Sequence, residues 1–416
     1  MSNRKQNMEM QKYKLGEICR KITDGSHFSP KEVEDGYPMF SVKDMKEFGF
    51  SYDDVKKISA EDFYKLKNSG CVPEKNDVLV AKDGSYLKES FVCEETKNEA
   101  ILSSIAIFKP KMELVNPIFL SYLFKTPSVY EYVKRGCVSG TALPRIVLKA
   151  FKEIDLFLPP LPTQQKIATV LSSLDKKIAL NSRINARLEQ MAKRLYEHYF
   201  VQFDFPTADG KPYKTSGGKM VYSSELKREI PEGWGVKSLF DVSDVIYGFP
   251  YATEPFDEDV EKSEKPYSVI RIRDILENTI SAKTTEVVEE KYKTQIGDLL
   301  IGMDGYFHMN FWSRNGDYVN QRITRIRKTY ISTLILYHQI LPFIKFKEER
   351  AKGSTVGHLS DKDIKQIKVL IPDNKNISNE FDSILNLIMK NRQKNKKLSR
   401  IRDRLLPLLM NGQVSV

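Results

Sequence analysis

Residues 163–200, near the middle of the chain, have the pattern of one long helix. Pro159, Pro160 and Pro162 precede this stretch, and no helix-breaking residue follows before Phe200. We therefore expect the helix to begin with Thr163 as its N-cap. Apolar residues recur in alternating steps of four and three, which is typical of a helix that packs lengthwise against another helix. Such a helix is about 55 Å long, too long to be covered by one small domain.

A second stretch, residues 379–409, has the same stepping and is the expected partner. When the first helix is shifted by 210 positions, Asn181 falls on Asn391 and Asn185 falls on Asn395. A buried asparagine in an apolar stripe costs stability but fixes the register and the partner of a helix. If the two helices are antiparallel, we expect Asn181 to lie near Asn395 and Asn185 near Asn391.

The segments that precede the two helices, residues 13–160 and 236–373, share one order of sequence patterns. The best match is between residues 77–84 and 298–305, which are apolar strands that run into an Asp-Gly turn. Each segment also contains a glycine turn, at Gly25 or Gly248, and ends on a short strand before its long helix. We therefore predict an internal repeat.

The predicted fold class is α+β, with two similar domains of mixed helix and strand, separated by two long antiparallel helices and related by a pseudo-twofold axis. The first domain is expected at residues 1–160 and its helix at 161–204. The second domain is expected at 205–373 and its helix at 374–416. Residues 205–235 are rich in Gly, Pro and Ser and are expected to form a linker loop.

Charge and composition favour an anionic partner. The net charge is +11 and the isoelectric point is about 9.1, which indicates nucleic acid before membrane. The first residues lack the apolar core of a signal peptide, and the longest apolar run is too short and polar to span a bilayer. The cysteines have no CxxC spacing and are expected as free thiols in a reducing cytosol, so we predict a cytoplasmic protein.

The predicted geometry suggests DNA reading. Two domains at opposite ends of an antiparallel helix pair are held a fixed distance apart. Because the DNA duplex repeats every ~34 Å, such domains would address two short sites with an unread gap between them.

Two motifs carry a resemblance to a known family. Residues 156–168 read LFLPPLPTQQKIA, and residues 404–412 read RLLPLLMNG. With the Gly25-Ser26-His27 turn and the overall order of parts, the chain resembles the specificity subunits of type I restriction–modification enzymes. It departs from the family pattern at residues 372–377, PDNKNI, where the second copy lacks the Gln-Gln form.

The resemblance implies a non-catalytic, DNA-binding subunit with two target recognition domains and a coiled-coil spacer. Each domain would read one half of a bipartite, asymmetric site. The partners would be double-stranded DNA, two methyltransferase subunits and, in the full complex, two restriction (motor) subunits. S-adenosylmethionine, ATP and Mg would be bound by those subunits, which would methylate adenine N6 and cleave DNA, and no cofactor or metal is expected in this chain.

Candidate DNA contacts are polar, basic or aromatic residues near the expected turns and strand ends. In the first domain they are Thr23, Ser26, His27, Lys43, Lys82, Ser85, Tyr86, Thr141 and Arg145. In the second domain they are Tyr247, Arg271, Arg273, Arg314, Gln321, Arg322, Arg325, Thr355 and His358.

Catalytic patterns are weak. Residues 116–119, Asn-Pro-Ile-Phe, resemble part of an adenine-methyltransferase motif, but Asn116 as an N-cap with Pro117 in the first turn is the better interpretation. No GxxxxGK[ST] stretch occurs. Two alternatives stay open at this point: a fused methyltransferase–specificity enzyme, and a coiled-coil adaptor that binds only protein.

Overall fold

A computed structural model of the chain describes residues 9–84, 86–139, 145–251, 256–351 and 357–414. The chain divides into two compact units: residues 1–179 with 397–416 form unit 1, and residues 180–396 form unit 2. Within the described ranges, no helix is both long and apolar enough to cross a membrane.

The secondary structure up to the first long helix consists of short strands and helices. The strands are β1 (Gln11–Lys14), β2 (Cys19–Asp24), β3 (Tyr37–Phe40), β4 (Met45–Lys46), β5 (Gly49–Phe50), β6 (Lys56–Ile58), β7 (Val78–Ala81), β8 (Ser90–Val92), β9 (Ala100–Ile101), β10 (Ile105–Pro110), β11 (Val138–Ser139), β12 (Arg145–Ile146) and β13 (Asp155–Leu158). The helices are α1 (Leu15–Ile18), α2 (Ala60–Asn68), α3 (Pro117–Phe124), α4 (Pro127–Gly136), α5 (Leu148–Lys152) and α6 (Leu161–Tyr196), with a 3-10 helix at Val42–Asp44.

The second half repeats this plan after a π-helical turn at Glu197–Val201. Its strands are β14 (Met220–Ser223), β15 (Arg228–Pro231), β16 (Gly235–Ser238), β17 (Ser243–Tyr247), β18 (Tyr267–Ile270), β19 (Ala282–Thr284), β20 (Leu299–Gly302), β21 (Met309–Phe311), β22 (Tyr318–Val319), β23 (Ile323–Lys328) and β24 (Lys368–Ile371). Its helices are α7 (Leu239–Val242), α8 (Thr333–Ala351), α9 (Asp361–Lys365) and α10 (Lys375–Met410), with 3-10 helices at Ile272–Asp274 and Glu290–Tyr292.

The two domains have the same strand order. One four-stranded sheet is ordered β2-β10-β7-β8 in unit 1 and β17-β23-β20-β21 in unit 2. A three-stranded sheet is β6-β3-β9 or β19-β18-β22, and in both its last pair is parallel. The strands that frame each domain pair as β1-β13 and β16-β24. These matching orders confirm the internal repeat and the α+β class.

Residues at equivalent positions of the two domains make equivalent contacts. Asp77 pairs with Lys109 at 2.9 Å, and Asp298 pairs with Arg327 at 2.7 Å. Gly25 lies so close to the neighbouring backbone that an added Cβ would be 2.2 Å from the Ile101 carbonyl oxygen. The repeat therefore preserves both a charge pair and, at Gly25 and Gly248, a close backbone approach that only glycine allows.

The long helices α6 and α10 are antiparallel, as predicted. Within unit 2, Asn181 Nδ2 donates to Asn395 Oδ1 at 2.7 Å, and Asn391 Nδ2 donates to Asn185 Oδ1 at 3.0 Å. As the residue number increases along α6, the number of its partner on α10 decreases. The two helices are therefore antiparallel. Ile178 and Ile388, on the same apolar stripes, are also buried.

Two local predictions are wrong, the N-cap of the first long helix and the linker loop. Helix α6 begins at Leu161, so Thr163 lies inside it and is not the N-cap; Pro162 is tolerated because the first turn leaves its N–H groups unpaired.

The expected linker loop is also folded. Residues 205–235 contain the β14–β15 hairpin and the start of β16. Phe205 stacks on Tyr213 and on Trp234, with ring centroids 4.7 and 4.8 Å apart, respectively. This aromatic packing orders a segment whose Gly, Pro and Ser content is typical of loop.

Candidate nucleic-acid interface

The Asp-Gly turn of unit 2 brings together three polar side chains. It follows the buried strand β20, and Gly305 has a φ of 71°, a left-handed conformation that favours glycine. Asp304 Oδ1 lies 2.6 Å from His358 Nδ1, and Asp304 Oδ2 lies 3.1 Å from Arg322 Nε. The side chains of Arg322 and His358 are 54% and 49% exposed. One carboxylate therefore orients two hydrogen-bonding side chains at the surface.

In the equivalent turn of unit 1, the aspartate also contacts a basic side chain, but that side chain is a different residue. Asp83 follows strand β7, and its Oδ1 lies 3.2 Å from Arg145 Nε. Backbone bridges join Asp83 to Arg145 and Asp304 to His358. Arg145 thus occupies in unit 1 the place that His358 occupies in unit 2.

Each unit has an exposed aromatic side chain directly after one of its glycine-containing turns. Tyr306, directly after Gly305, is 72% exposed, and its ring stacks on His308 with centroids 5.8 Å apart. Phe28 is 68% exposed and is held by Ser26, whose hydroxyl donates to the Phe28 carbonyl and accepts from its N–H. The sequence prediction missed both aromatics, although each directly follows a Gly-containing motif that it had selected.

Two of the residues predicted to contact DNA are buried basic side chains that pair with an acid. Lys82 is 4% exposed, and its ammonium donates to Asp24 Oδ2 at 2.6 Å. Arg325 is fully buried and donates to Asp244 Oδ2 at 2.8 Å. Because their charged groups are already neutralised inside the domains, we no longer assign DNA contacts to Lys82 and Arg325. Ser26 is buried as well, and its hydroxyl has the local role described above.

Three other residues of unit 2 that were predicted to contact DNA are arginines, and each of them contacts an acidic side chain. Arg271 Nε and Arg273 Nε each lie 3.0 Å from Ser281 Oγ, and both guanidinium groups also reach Glu258. Arg314 pairs with Asp317 at 2.9 Å and lies over the Trp312 ring. These arginines are held in place by acids, with Arg273 the most exposed.

The remaining predicted residues are scattered. Lys43 and Gln321 are exposed, and His27 is exposed with Nε2 3.4 Å from Asp24 Oδ2. Tyr86 stacks on Tyr130 with centroids 5.7 Å apart. Thr23 and Tyr247 are half-buried near the ends of β2 and β17. Ser85, Thr141 and Thr355 lie outside the described residues.

The Asn-Pro-Ile-Phe stretch is structural. Asn116 Oδ1 accepts from Phe119 N at 3.1 Å as the N-cap of α3, and Phe119 is fully buried. The Asn116 N–H donates to Gln164 Oε1 at 2.9 Å, so the motif joins α3 to the start of α6. No group of three or more His, Cys, Asp or Glu residues that could hold a metal occurs in the described ranges.

Comparison with known proteins gives one consistent family. Residues 7–190 and 231–400 match the model of the type I restriction modification DNA specificity domain. The chain is 28% identical over 72% of its length to the type I restriction enzyme MjaIX specificity subunit of Methanocaldococcus jannaschii, covering 69% of that protein. It is 24% identical over 98% of its length to the HindI specificity subunit of Haemophilus influenzae, covering 100% of it.

A solved structure has the same fold. It is the S subunit of a type I restriction-modification system from M. genitalium, with a TM-score of 0.57 and 17% identity. The alignment covers 99% of this chain and 97% of that one. Since the two family-model matches together span most of the sequence, the chain belongs to the type I restriction–modification DNA specificity family.

Proposed function

We propose that this chain is the non-catalytic DNA-recognition subunit of a type I restriction–modification complex. The observation that carries the proposal is that two domains of one topology present unlike side chains at the same Asp-Gly turn. Asp304 holds Arg322 and His358, whereas Asp83 holds Arg145. Two copies of one scaffold with different surface groups are suited to reading two different short sequences.

In this proposal each domain reads one half of a bipartite, asymmetric site, and α6 and α10 set the unread gap. Each helix has 36 residues, or about 54 Å at ~1.5 Å per residue, which exceeds one duplex turn of ~34 Å. The net charge of +11 supplies affinity for phosphate that does not depend on sequence. The proposed DNA contacts are Thr23, His27, Lys43, Tyr86, Arg145, Tyr247, Arg271, Arg273, Arg314, Gln321, Arg322 and His358.

The catalytic work belongs, in the same proposal, to partner subunits. Two methyltransferase subunits would bind S-adenosylmethionine, and two restriction subunits would bind ATP and Mg. Family membership supports this division of labour. Saturable binding of S-adenosylmethionine to the isolated chain would contradict it.

Methylation mapping tests the recognition role directly. The partner methyltransferase subunit is expressed with and without this chain in a host that lacks other adenine methylation, and single-molecule sequencing maps modified adenines. One bipartite motif should appear only when the chain is present. Methylation without a motif, or the same motif in both strains, would contradict the proposal.

Domain exchange tests the division into half-sites. Residues 206–372 are replaced by the corresponding domain of another family member, and the methylated motif is mapped again. Only one half of the motif should change, because the other domain is untouched. A change in both halves would contradict separate reading by the two domains.

A further inference from the structure

We propose that Arg322 reads a guanine in the half-site of the second domain and that Asp304 is its positioning residue. The proposal rests on the DNA-recognition function proposed above and names the base and the residue. Arg322 lies between β22 and β23, and Asp304 lies at the end of β20, the sheet neighbour of β23.

The geometry leaves the reading edge of the guanidinium available. Asp304 Oδ2 engages Nε at 3.1 Å, and across the described ranges the Arg322 side chain has no other ion-pair or hydrogen-bond partner. Its two terminal nitrogens can therefore donate together. A parallel pair of donors matches O6 and N7 of guanine in the major groove, which is the commonest specific arginine contact with DNA.

Asp304 is itself fixed, which makes it a rigid support. Its other carboxylate oxygen contacts His358 Nδ1, and the turn is tied by backbone hydrogen bonds from Gly305 N to the Gly357 carbonyl and from Leu359 N to the Met303 carbonyl. The preceding strand, β20, is buried throughout. An arginine held before it binds loses less side-chain entropy on contact.

Stability does not account for this arrangement. Arg322 and His358 are about half exposed, and exposed ion pairs contribute little to stability. The turn nevertheless brings together an acid, an arginine and a histidine, and the exposed Tyr306 follows this turn directly in the sequence. A preorganised polar group at the surface is what recognition of a base requires.

The first domain lacks this arginine. Ile105 pairs with Ala81, and Ile323 pairs with Gly302, so the preceding residues, Ser104 and Arg322, occupy the same place in the two domains. The scaffold therefore does not need an arginine there. A residue that differs between otherwise matching domains is suited to specifying one half-site and not the other.

The test uses the complete complex with its methyltransferase subunits and maps methylation base by base. Arg322→Ala should relax one G·C position of one half-site, lowering discrimination at that position by about 5- to 150-fold. Asp304→Asn should lower discrimination at the same position by a smaller factor. The double variant should be no worse than Arg322→Ala, because Asp304 acts only through Arg322.

Two further variants separate recognition from folding. Lys219→Ala breaks an exposed ion pair with Glu232 in the β14–β15 hairpin and should leave the motif unchanged. Arg322→Lys keeps the charge but cannot make the paired contact, so it should also relax the position. Thermal unfolding of each variant should match that of the unmodified complex.

Several outcomes would overturn the proposal. They are an unchanged motif in Arg322→Ala, relaxation at an A·T position, an equal loss of methylation at every site, or a double variant worse than Arg322→Ala. An equal loss would indicate a phosphate contact. If the unmodified complex itself gives no motif, the DNA-recognition function fails, and that result is distinct from a failure at Arg322.

Discussion

Asn391 Nδ2 donates to Asn185 Oδ1 at 3.0 Å, while Asn185 Nδ2 donates to the backbone carbonyl of Ile388 at 3.2 Å. Asn181 and Asn395 form the companion pair, and Asn395 also donates to Ser182 Oγ at 3.0 Å. Asn181 and Asn185 are almost fully buried. Since each amide finds a specific partner on the other helix, the pairs select one register of α6 against α10.

The first prediction concerns the coupling of Asn185 and Asn391. Asn185→Leu should lower the free energy of unfolding by about 1–2 kcal/mol, because it leaves the Asn391 amide without its acceptor. Adding Asn391→Leu should recover most of that loss, since both polar groups are then replaced by apolar ones. A double-mutant cycle from urea unfolding measures the coupling.

The matched control is Gln190→Leu, an exposed position on the same helix, which should change stability by less than about 0.5 kcal/mol. Additive effects of the two asparagine substitutions would show that the pair does not act as a unit.

The sequence predicted the helices and the repeat well because both depend on local pattern. The stepping of apolar residues and the 210-position offset of the asparagines are visible without any tertiary information. The sequence also showed that Gly25 and Gly248 are equivalent. Both copies need glycine there, because the neighbouring backbone lies too close for a side chain. The start of α6 was misplaced because a first-turn proline, Pro162, was taken as a helix breaker.

The site was harder to predict because burial of a charge depends on a distant partner. Lys82 precedes a surface turn, but its partner, Asp24, is 58 positions away in the sequence. Arg325 lies in a strand whose alternation does not show which face is covered. The support of Arg322 by Asp304 likewise became visible only when β20 and β23 were placed side by side.

The second prediction concerns two equivalent helix positions that hold an ion pair in unit 1 and apolar residues in unit 2. In unit 1, Arg402 Nη1 lies 2.7 Å from Asp175 Oδ1, and Asp175 also accepts from the Tyr122 hydroxyl. The 210-position offset places Leu385 and Ala192 at the equivalent positions, and both are buried in the core of unit 2. Arg402→Ala should cost about 3 kcal/mol, because it strands a mostly buried carboxylate.

The triple variant combines Tyr122→Phe, Asp175→Leu and Arg402→Ala. It places at positions 175 and 402 the residue types that unit 2 has at the equivalent positions, and it removes the hydroxyl of Tyr122. It should recover most of the stability lost in Arg402→Ala, since neither the Asp175 carboxylate nor the Tyr122 hydroxyl is left in the core without a partner. Thermal unfolding checks both variants, with the exposed Arg404→Ala as the control. A triple variant less stable than Arg402→Ala would contradict this account.

The third prediction concerns the first glutamine of the Gln-Gln pair. Gln164 is buried, and its amide bonds to three backbone groups: it accepts from Asn116 N and donates to the Leu114 and Pro159 carbonyls at 3.1 and 2.9 Å. Gln164→Leu leaves these groups unpaired and should cost about 2–3 kcal/mol. The exposed neighbour Gln165→Leu should cost less than about 0.5 kcal/mol.

Urea unfolding of the two glutamine variants gives the comparison under identical conditions. Because the contacts of Gln164 join α6 to the loops before α3 and α6, amide exchange near Asn116 should also quicken in Gln164→Leu. Equal stability of the two variants would show that the buried amide is not what fixes the start of α6.

The fourth prediction is a pH dependence that arises from His338 in unit 2. Burial lowers the pKa of His338 from 6.5 to about 4, and its ring stacks on Tyr196 with centroids 5.0 Å apart. Below pH 6.5 the unfolded chain binds a proton that the folded chain does not. The contribution of His338 to stability is therefore complete above pH 6.5 and is lost as the pH falls toward 4, by at most about 1.4 kcal/mol per pH unit.

His338→Phe keeps an aromatic ring against Tyr196 and removes the titrating group. The difference in unfolding temperature between the variant and the unmodified chain should therefore be constant above pH 7. Between pH 6.5 and 4 the unfolding temperature of the unmodified chain should fall relative to that of the variant. Differential scanning calorimetry from pH 4.5 to 8 measures both. Curves that stay parallel across the whole range would show that His338 takes up its proton without loss of the folded state.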